Sequence, residues 1–108
     1  MIRRHLEGVG IADAPIGVGG LNGCACIGTF RSADSSFDPE QMRRDMVEAA
    51  KKLAVSDPAI GAIVVECTNM PPYSAAAQAA VGLPVFDIVT LINYMQTALA
   101  QEEYQGYL

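Results

Sequence analysis

Two apolar runs, each followed by a helical pattern, constrain the fold of this 108-residue chain more than any other feature. The segments "GAIVVEC" (61–67) and "LPVFDIV" (83–89) are rich in the residues of strands that are buried on both faces. "PPYSAAAQAAVG" and "TLINYMQTALAQEEY" follow them and predict helices, the first of which ends before Gly82. Such an alternation favours right-handed crossovers and a parallel sheet. We therefore expect an α/β fold in three layers, with helices flanking a parallel sheet.

A third helix is indicated before the first strand. Asp38 is a good N-cap, Pro39 suits the first helical position, and Gln41 completes the pattern of a capping box. Apolar residues then repeat at helical spacing: Met42, Met46, Ala49, Ala50, Leu53 and Ala54. Upstream, residues 1–8 predict a short helix that is closed at Gly8 or Gly10, and "APIGVGGL" predicts a short strand.

Composition and charge exclude several classes of protein. Hydrophobic residues make up 51% of the chain, which suits a single domain over residues 1–108. The net charge of −5 argues against nucleic acid as a partner. No apolar run approaches the roughly 20 residues that cross a bilayer, and "MIRRHLEG" lacks the apolar region of a secretory signal. Three cysteines without framework spacing predict reduced thiols and a cytoplasmic location.

Polar residues capable of chemistry stand where the first apolar run ends. Cys67, Thr68 and Asn69 lie between that run and a proline pair. Ligands of open parallel sheets bind outside the carboxyl ends of the strands, and a helix N-terminus favours negative charge. We therefore expect a thiolate at Cys67 and a small carboxylate held by Thr68 and Asn69. The structural alternative is a buried, inert cysteine that precedes an ordinary N-cap.

The other candidate sites are weaker. Cys24 and Cys26, in "GCACIG", lack the spacing of a redox or zinc pair, and the chain has one histidine. We therefore interpret them as incidental thiols and expect no metal. "GVGGLNG" is followed by a loop where a dinucleotide-binding turn requires a helix. No cofactor is predicted.

The segment from "GAIVVEC" to "LINYM" resembles the carboxyl-terminal half of the aspartate/glutamate/hydantoin racemase superfamily. The resemblance is carried by "ECTNMPPY" and "GLPVFDIVTLIN". It implies one incomplete lobe of a two-lobe fold, in which each lobe offers a cysteine and neither pyridoxal nor metal is used. It also implies that Cys67 transfers an α-proton and that Thr68 and Asn69 bind the carboxylate of an amino acid or a similar small acid. Glu66 and Asp87 are expected to lie beside these residues and to support them without direct catalysis.

The function implied by this resemblance is the second lobe of a cofactor-independent amino-acid racemase. Because one lobe supplies one of the two cysteines, the resemblance also implies a partner, either a first lobe or a second copy of the chain. Two alternatives stay open. One is a decarboxylase or isomerase of the same superfamily that works with Cys67 alone, and the other is a non-catalytic lobe that self-associates.

Overall fold

The computed structural model describes residues 3–24 and 36–106, which form four helices and two short strands. In chain order the elements are α1 (Arg3–Gly8), α2 (Pro39–Ser56), β1 (Ile63–Val64), α3 (Pro71–Val81), β2 (Val85–Phe86) and α4 (Ile88–Leu99). The alternation of strands and helices expected for the second half of the chain is present. Each strand, however, is only two residues long.

The two strands are parallel neighbours. Ile63 pairs with Val85 and Val64 pairs with Phe86. The Ile63 N–H donates to the Pro84 carbonyl over 2.9 Å. The second strand ends early because Asp87, directly after Phe86, is already the N-cap of α4. The first strand then has no partner to continue along, so the predicted seven-residue strands are too long.

The expected three-layer α/β sheet is wrong, because helices cover one face of the strands. Ile63 and Val85, on the covered face, are 6% and 8% exposed. Val64 and Phe86, on the opposite face, are 71% and 52% exposed. A third layer would require a helix over that second face. Helix α4 begins beside it, but none of the residues of α4 is buried. The described chain is therefore mostly helical, with one small two-stranded sheet.

The core lies between the covered face of the strands and the packed helices α2 and α3. Its buried residues come from all four of these elements and from the residue before α3: Met42, Met46, Ala50, Ile63, Met70, Tyr73, Ala77 and Val85. Met42 and Ala77 are fully buried. The small side chains of α3 suit close packing of two helices, and the methionines of α2 fill the space above the sheet.

Local signals in the sequence set the helix ends. The Asp38 carboxylate accepts the Glu40 N–H over 2.9 Å, which confirms the predicted N-cap of α2. The Gln41 side-chain oxygen accepts a hydrogen bond from the Arg44 guanidinium over 2.8 Å instead of completing the predicted capping box. Gly82 adopts a left-handed conformation, with φ 70°, and closes α3 where a glycine cap was predicted.

The segment before α2 is only partly as predicted. Gly10 has φ 76° and follows α1, and the Ile11 N–H reaches back to the Leu6 carbonyl over 3.0 Å. This is the hydrogen bond of a Schellman motif, so the glycine closure is confirmed. The predicted strand in "APIGVGGL" is wrong, since residues 15–21 adopt no regular structure. They pass over α2, where Gly19 lies against the side chain of Leu53.

Candidate functional site

A four-residue turn at the carboxyl end of β1 carries the candidate site. It runs from Cys67 to Met70 and is closed by a hydrogen bond from the Met70 N–H to the Cys67 carbonyl over 3.1 Å. Cys67, Thr68 and Asn69 are all exposed on this turn. The burial that the structural alternative assumes for Cys67 is therefore wrong. A thiol in this position is open to a ligand and to solvent.

The N-terminus of α3 differs from the predicted one. Its N-cap is Met70, which makes no side-chain capping bond, so neither Thr68 nor Asn69 caps the helix. Pro71 and Pro72 occupy the first two helical positions and have no N–H to donate. The Tyr73 N–H already donates to the Met70 carbonyl over 2.9 Å. The first turn of α3 is therefore a poor anion site.

The turn itself can supply the missing donors. Within residues 3–24 and 36–106, no hydrogen bond occupies the backbone N–H groups of Thr68 and Asn69. The Thr68 hydroxyl and the Asn69 side-chain amide are further donors on the same exposed turn. A small carboxylate beside Cys67 would therefore be bound by the turn and not by the helix.

Two cavities flank the turn. The smaller is a cleft of about 560 Å³ between the open face of the strands and the start of α4. The larger, of about 1380 Å³, lies between β1, α2 and the segment before α2. Thr68 and Asp87 border the smaller cleft, Cys67 borders the larger cavity, and Glu66 borders both. The turn is thus the rim between them, with the candidate base on one side and a candidate carboxylate ligand on the other.

The walls of the smaller cleft are mostly apolar, with acidic groups at one end. Phe86 comes from β2, while Leu91 and Tyr94 come from one face of α4. Glu66 and Asp87 add two carboxyl groups, and no lysine or arginine is found among the described residues that line the cleft. Sequence reasoning missed the part played by Phe86 and Tyr94. The spacing of Asp87, Leu91 and Tyr94 along one helix face was the available signal.

Asp87 anchors the helix that forms one wall of this cleft. Its Oδ1 accepts the Thr90 N–H over 2.8 Å, and the Thr90 hydroxyl accepts the Asp87 N–H over 2.9 Å, which completes a capping box. Its Oδ2 accepts a hydrogen bond from the Ser74 hydroxyl over 2.7 Å. Two hydrogen bonds lower the pKa of Asp87 from its ordinary value. The bond from the Ser74 hydroxyl has the larger effect, and the bond from the Thr90 backbone N–H has the next largest. The Asp87 carboxylate is therefore held in place by these bonds, and its role is structural.

The other candidate residues that the structure describes add nothing to this site. Cys24 is half-buried, and Cys26 lies outside the described residues. Among the described residues, no three histidine, cysteine, aspartate or glutamate side chains gather as metal ligands would. No helix in the described ranges combines the length and the apolar character of a membrane span.

Comparison with known proteins gives a consistent set of relatives. No family model matches the chain, and no solved structure does either. A dimethylsulfoniopropionate lyase of Durusdinium sp. clade D is 36% identical over 76 residues, which cover 68% of this chain and 25% of the relative. Dimethylsulfoniopropionate lyase 7 of Emiliania huxleyi (strain CCMP1516) is 48% identical over 52 residues, 48% of this chain and 15% of the relative.

The chain is similar to part of a dimethylsulfoniopropionate lyase. A third relative, dimethylsulfoniopropionate lyase 5 of the same Emiliania huxleyi strain, is 31% identical over 78 residues, 70% of this chain. The chain spans a quarter or less of the length of these curated relatives. Their names contradict the racemase identification, the amino-acid racemase activity and its alternatives. The error has a physical basis, because a turn with a cysteine and carboxylate donors can serve more than one reaction.

Proposed function

We propose that this chain forms part of the substrate site of a lyase that cleaves dimethylsulfoniopropionate. The observation that carries the proposal is the similarity to several curated proteins that are all named for this substrate and reaction. The similarity reaches 81% of the chain, so it extends into the half that holds the turn and the cleft. Because the relatives are much longer, the complete site would include groups that this chain does not supply.

The chemistry of the substrate defines what such a site needs. Dimethylsulfoniopropionate has a carboxylate at one end and a dimethylsulfonium cation at the other, with two carbons between them. In an elimination, a base removes a proton from the carbon beside the carboxylate. The electrons of that C–H bond form a carbon–carbon double bond, and the C–S electron pair leaves with sulfur. The products are dimethyl sulfide, acrylate and the protonated base, so the site needs a base and donors for the carboxylate.

Cys67 is the proposed base. Its thiolate would accept the proton, and its exposed position at the edge of the larger cavity gives a substrate access to the sulfur. Thr68 and Asn69 are the proposed carboxylate ligands, through their side chains and their backbone N–H groups. Cys67 and Thr68 are adjacent in the chain, about 3.8 Å apart at their Cα atoms, so a carboxylate bound by the backbone N–H groups of the turn would lie on the same turn as the sulfur. Glu66 and Asp87 support this arrangement from the cleft.

Headspace measurement of dimethyl sulfide tests the proposal. The purified chain is incubated with dimethylsulfoniopropionate, and the release of dimethyl sulfide is compared with that of Cys67→Ser and Cys24→Ser. We expect the first variant to lose at least about 100-fold in rate, the usual contribution of a general base, while the second keeps its activity. Equal activity of the wild type and Cys67→Ser would contradict the role of Cys67.

If the purified chain shows no activity, its binding of the substrate can still be measured. The backbone amide signals of the chain are followed by NMR as dimethylsulfoniopropionate is added. Shifts concentrated at residues 66–69 would support the proposed site. The proposed function would be contradicted if no product formed and no amide signal shifted at millimolar substrate.

A further inference from the structure

We propose that residues 15–21, here called the strap, pair with the free edge of β1 and thereby close the larger cavity beside Cys67. In the described structure the strap has no regular structure, and a cavity of about 1380 Å³ lies between it and β1. The inference goes beyond the proposed function, because it assigns a closing element to the cavity that Cys67 borders.

One edge of β1 has no partner. Ile63 and Val65 donate their N–H groups to β2, to the carbonyls of Pro84 and Phe86, over 2.9 and 2.8 Å. The backbone of Val64, between them, faces the opposite edge and makes no hydrogen bond in the part of the chain that the structure describes. Unpaired N–H and C=O groups at the edge of a sheet are a template for a further extended segment.

The strap lies beside this edge and has unpaired backbone groups of its own. The strap and residues 59–67 line the same cavity. From Ile16 to Gly20, no backbone group forms a hydrogen bond with another described residue. A Cβ placed on Gly17 would lie 3.6 Å from the side chain of Ile60, so the strap already approaches the residues that lead into β1. Pairing would satisfy both rows of backbone groups at once.

The sequence of the strap suits both states. Alternate residues of a strand face opposite sides. A Cβ on Gly17 or Gly19 would lie 3.6 Å from the Leu53 side chain of α2, whereas Ile16 and Val18 are exposed. No glycine of the strap has a positive φ, and glycine has the conformational freedom that a change to an extended strand requires. A third strand would widen the sheet sideways and leave its open face uncovered, so no third layer would result.

The order of elements along the chain fits a parallel pairing. Helix α2 comes between the strap and β1, and it packs on the covered face of the strands. A strand, a helix on one face of the sheet and a neighbouring parallel strand form a right-handed crossover unit. The elements β1, α3 and β2 already form such a unit, since the two strands are parallel neighbours.

Closure would change access to Cys67. This residue follows β1 and borders the same cavity as the strap. A strap drawn onto the edge of β1 would take up part of the cavity and slow reagents that approach the sulfur from that side. The open state, in which Cys67 is exposed, is then the state that admits a substrate.

Hydrogen exchange of the Val64 amide tests the pairing. We expect this amide to be protected at least about ten-fold relative to an exposed amide without a partner. Val18→Pro and Gly19→Pro are then compared. Successive N–H groups of a strand point to opposite edges, and proline is tolerated only where its nitrogen faces away from the neighbouring strand. One of the two variants should therefore lose the protection of Val64, and the other should keep it.

Alkylation of Cys67 by iodoacetamide tests the closure. Cys24 and Cys26 are first replaced by serine in every variant, so that Cys67 is the one thiol left. Val18→Thr is the matched control, because it keeps both the N–H group and the branched shape of valine. The proline variant that loses the protection of Val64 should be alkylated at least about two-fold faster than Val18→Thr. Circular dichroism checks that every variant is folded.

Several results would overturn the inference. Fast exchange of the Val64 amide in the wild type would do so, as would protection that both proline variants keep. Protection that grows with protein concentration would also overturn it, because the edge would then be paired with a second copy of the chain. Equal alkylation of the proline variants and Val18→Thr would refute the closure. Neither readout requires turnover, so release of dimethyl sulfide that depends on Cys67 tests the proposed function separately.

Discussion

The Ser74 hydroxyl donates a hydrogen bond of 2.7 Å to Oδ2 of Asp87, thirteen residues further along the chain. Ser74 belongs to α3 and Asp87 is the N-cap of α4, so this one contact joins two helices on either side of β2. The other oxygen of Asp87 holds the Thr90 N–H. A single carboxylate thus fixes where α4 leaves the strand, and α4 in turn places Leu91 and Tyr94 at the cleft.

Replacement of Ser74 by alanine should change the acid side of the stability profile. The hydrogen bond from Ser74 is the largest cause of the lowered pKa of Asp87, whose ordinary value is 3.8. A carboxyl group with a lowered pKa stabilises the fold above its unfolded pKa, and this stability is lost as pH falls through the folded pKa. In Ser74→Ala the folded pKa should rise toward 3.8, so the variant should be less stable at neutral pH, and its loss of stability on acidification should be smaller and should end at a higher pH.

NMR titration of the Asp87 side-chain carbonyl carbon, together with thermal unfolding between pH 2.5 and 7, measures both effects. The range brackets the ordinary pKa of this carboxyl group, 3.8. Asp13→Asn is the control, because Asp13 is exposed and its carboxylate takes part in no recorded contact of the described chain. An unchanged Asp87 titration in Ser74→Ala would show that the 2.7 Å hydrogen bond does not stabilise the ionised carboxylate.

Gly82 should tolerate no side chain without a loss of stability. Its φ of 70° is left-handed, and its N–H closes α3 on the Gln78 carbonyl over 2.8 Å. Alanine in that conformation costs about 1–2 kcal/mol. Gly61→Ala is the matched control, because a Cβ there would meet nothing within 4 Å and the backbone is not left-handed. Urea unfolding compares the two, and equal free energies of unfolding would refute the argument.

Met42 should be the most sensitive methionine of α2. It is fully buried between α2, α3 and the strands. Met42→Ala removes a large buried side chain and should lower the free energy of unfolding by about 2–5 kcal/mol. Val55→Ala, on the exposed side of the same helix, should change it by less than about 0.5 kcal/mol. A small effect at Met42 would mean that the core is loosely packed.

The parts of the fold that were predicted correctly depend on local chemistry. Asp38 and Gly82 act on the backbone within a few residues, so their effect is visible in a short window of sequence. The extent of the sheet depends on what lies across it. The residues around Val64 have the composition of a strand covered on both sides, but nothing in the described chain covers that face. A window of sequence cannot show whether a neighbouring layer is present.

The candidate site was predicted in the same uneven way. Cys67 and Thr68 could be located from their position at the end of an apolar run. The helix start after Cys67 predicts an anion site, but prolines at the first two helical positions remove the N–H donors that such a site requires. The cleft walls depend on the direction of α4, which the Ser74–Asp87 contact sets, so they could not be predicted from spacing alone.

The apolar stripe of α4 should cause weak self-association. Ile92, Met95 and Leu99 lie on one face of the helix beyond the cleft, and each is more than half exposed. We propose a second copy of the chain as the partner. A patch of three side chains is small beside the roughly 1,200 Å² that stable interfaces bury. The expected dimer is therefore weak and depends on concentration.

Sedimentation velocity over a range of protein concentrations measures this association. The average mass of the wild type should rise with concentration, and Ile92→Glu should keep the chain monomeric, because a buried glutamate without a partner is costly in an interface. Gln96→Glu is the matched control, since it adds the same charge to α4 next to the stripe and not within it. A wild type that stays monomeric at every concentration, or an Ile92→Glu variant that still associates, would contradict the proposal.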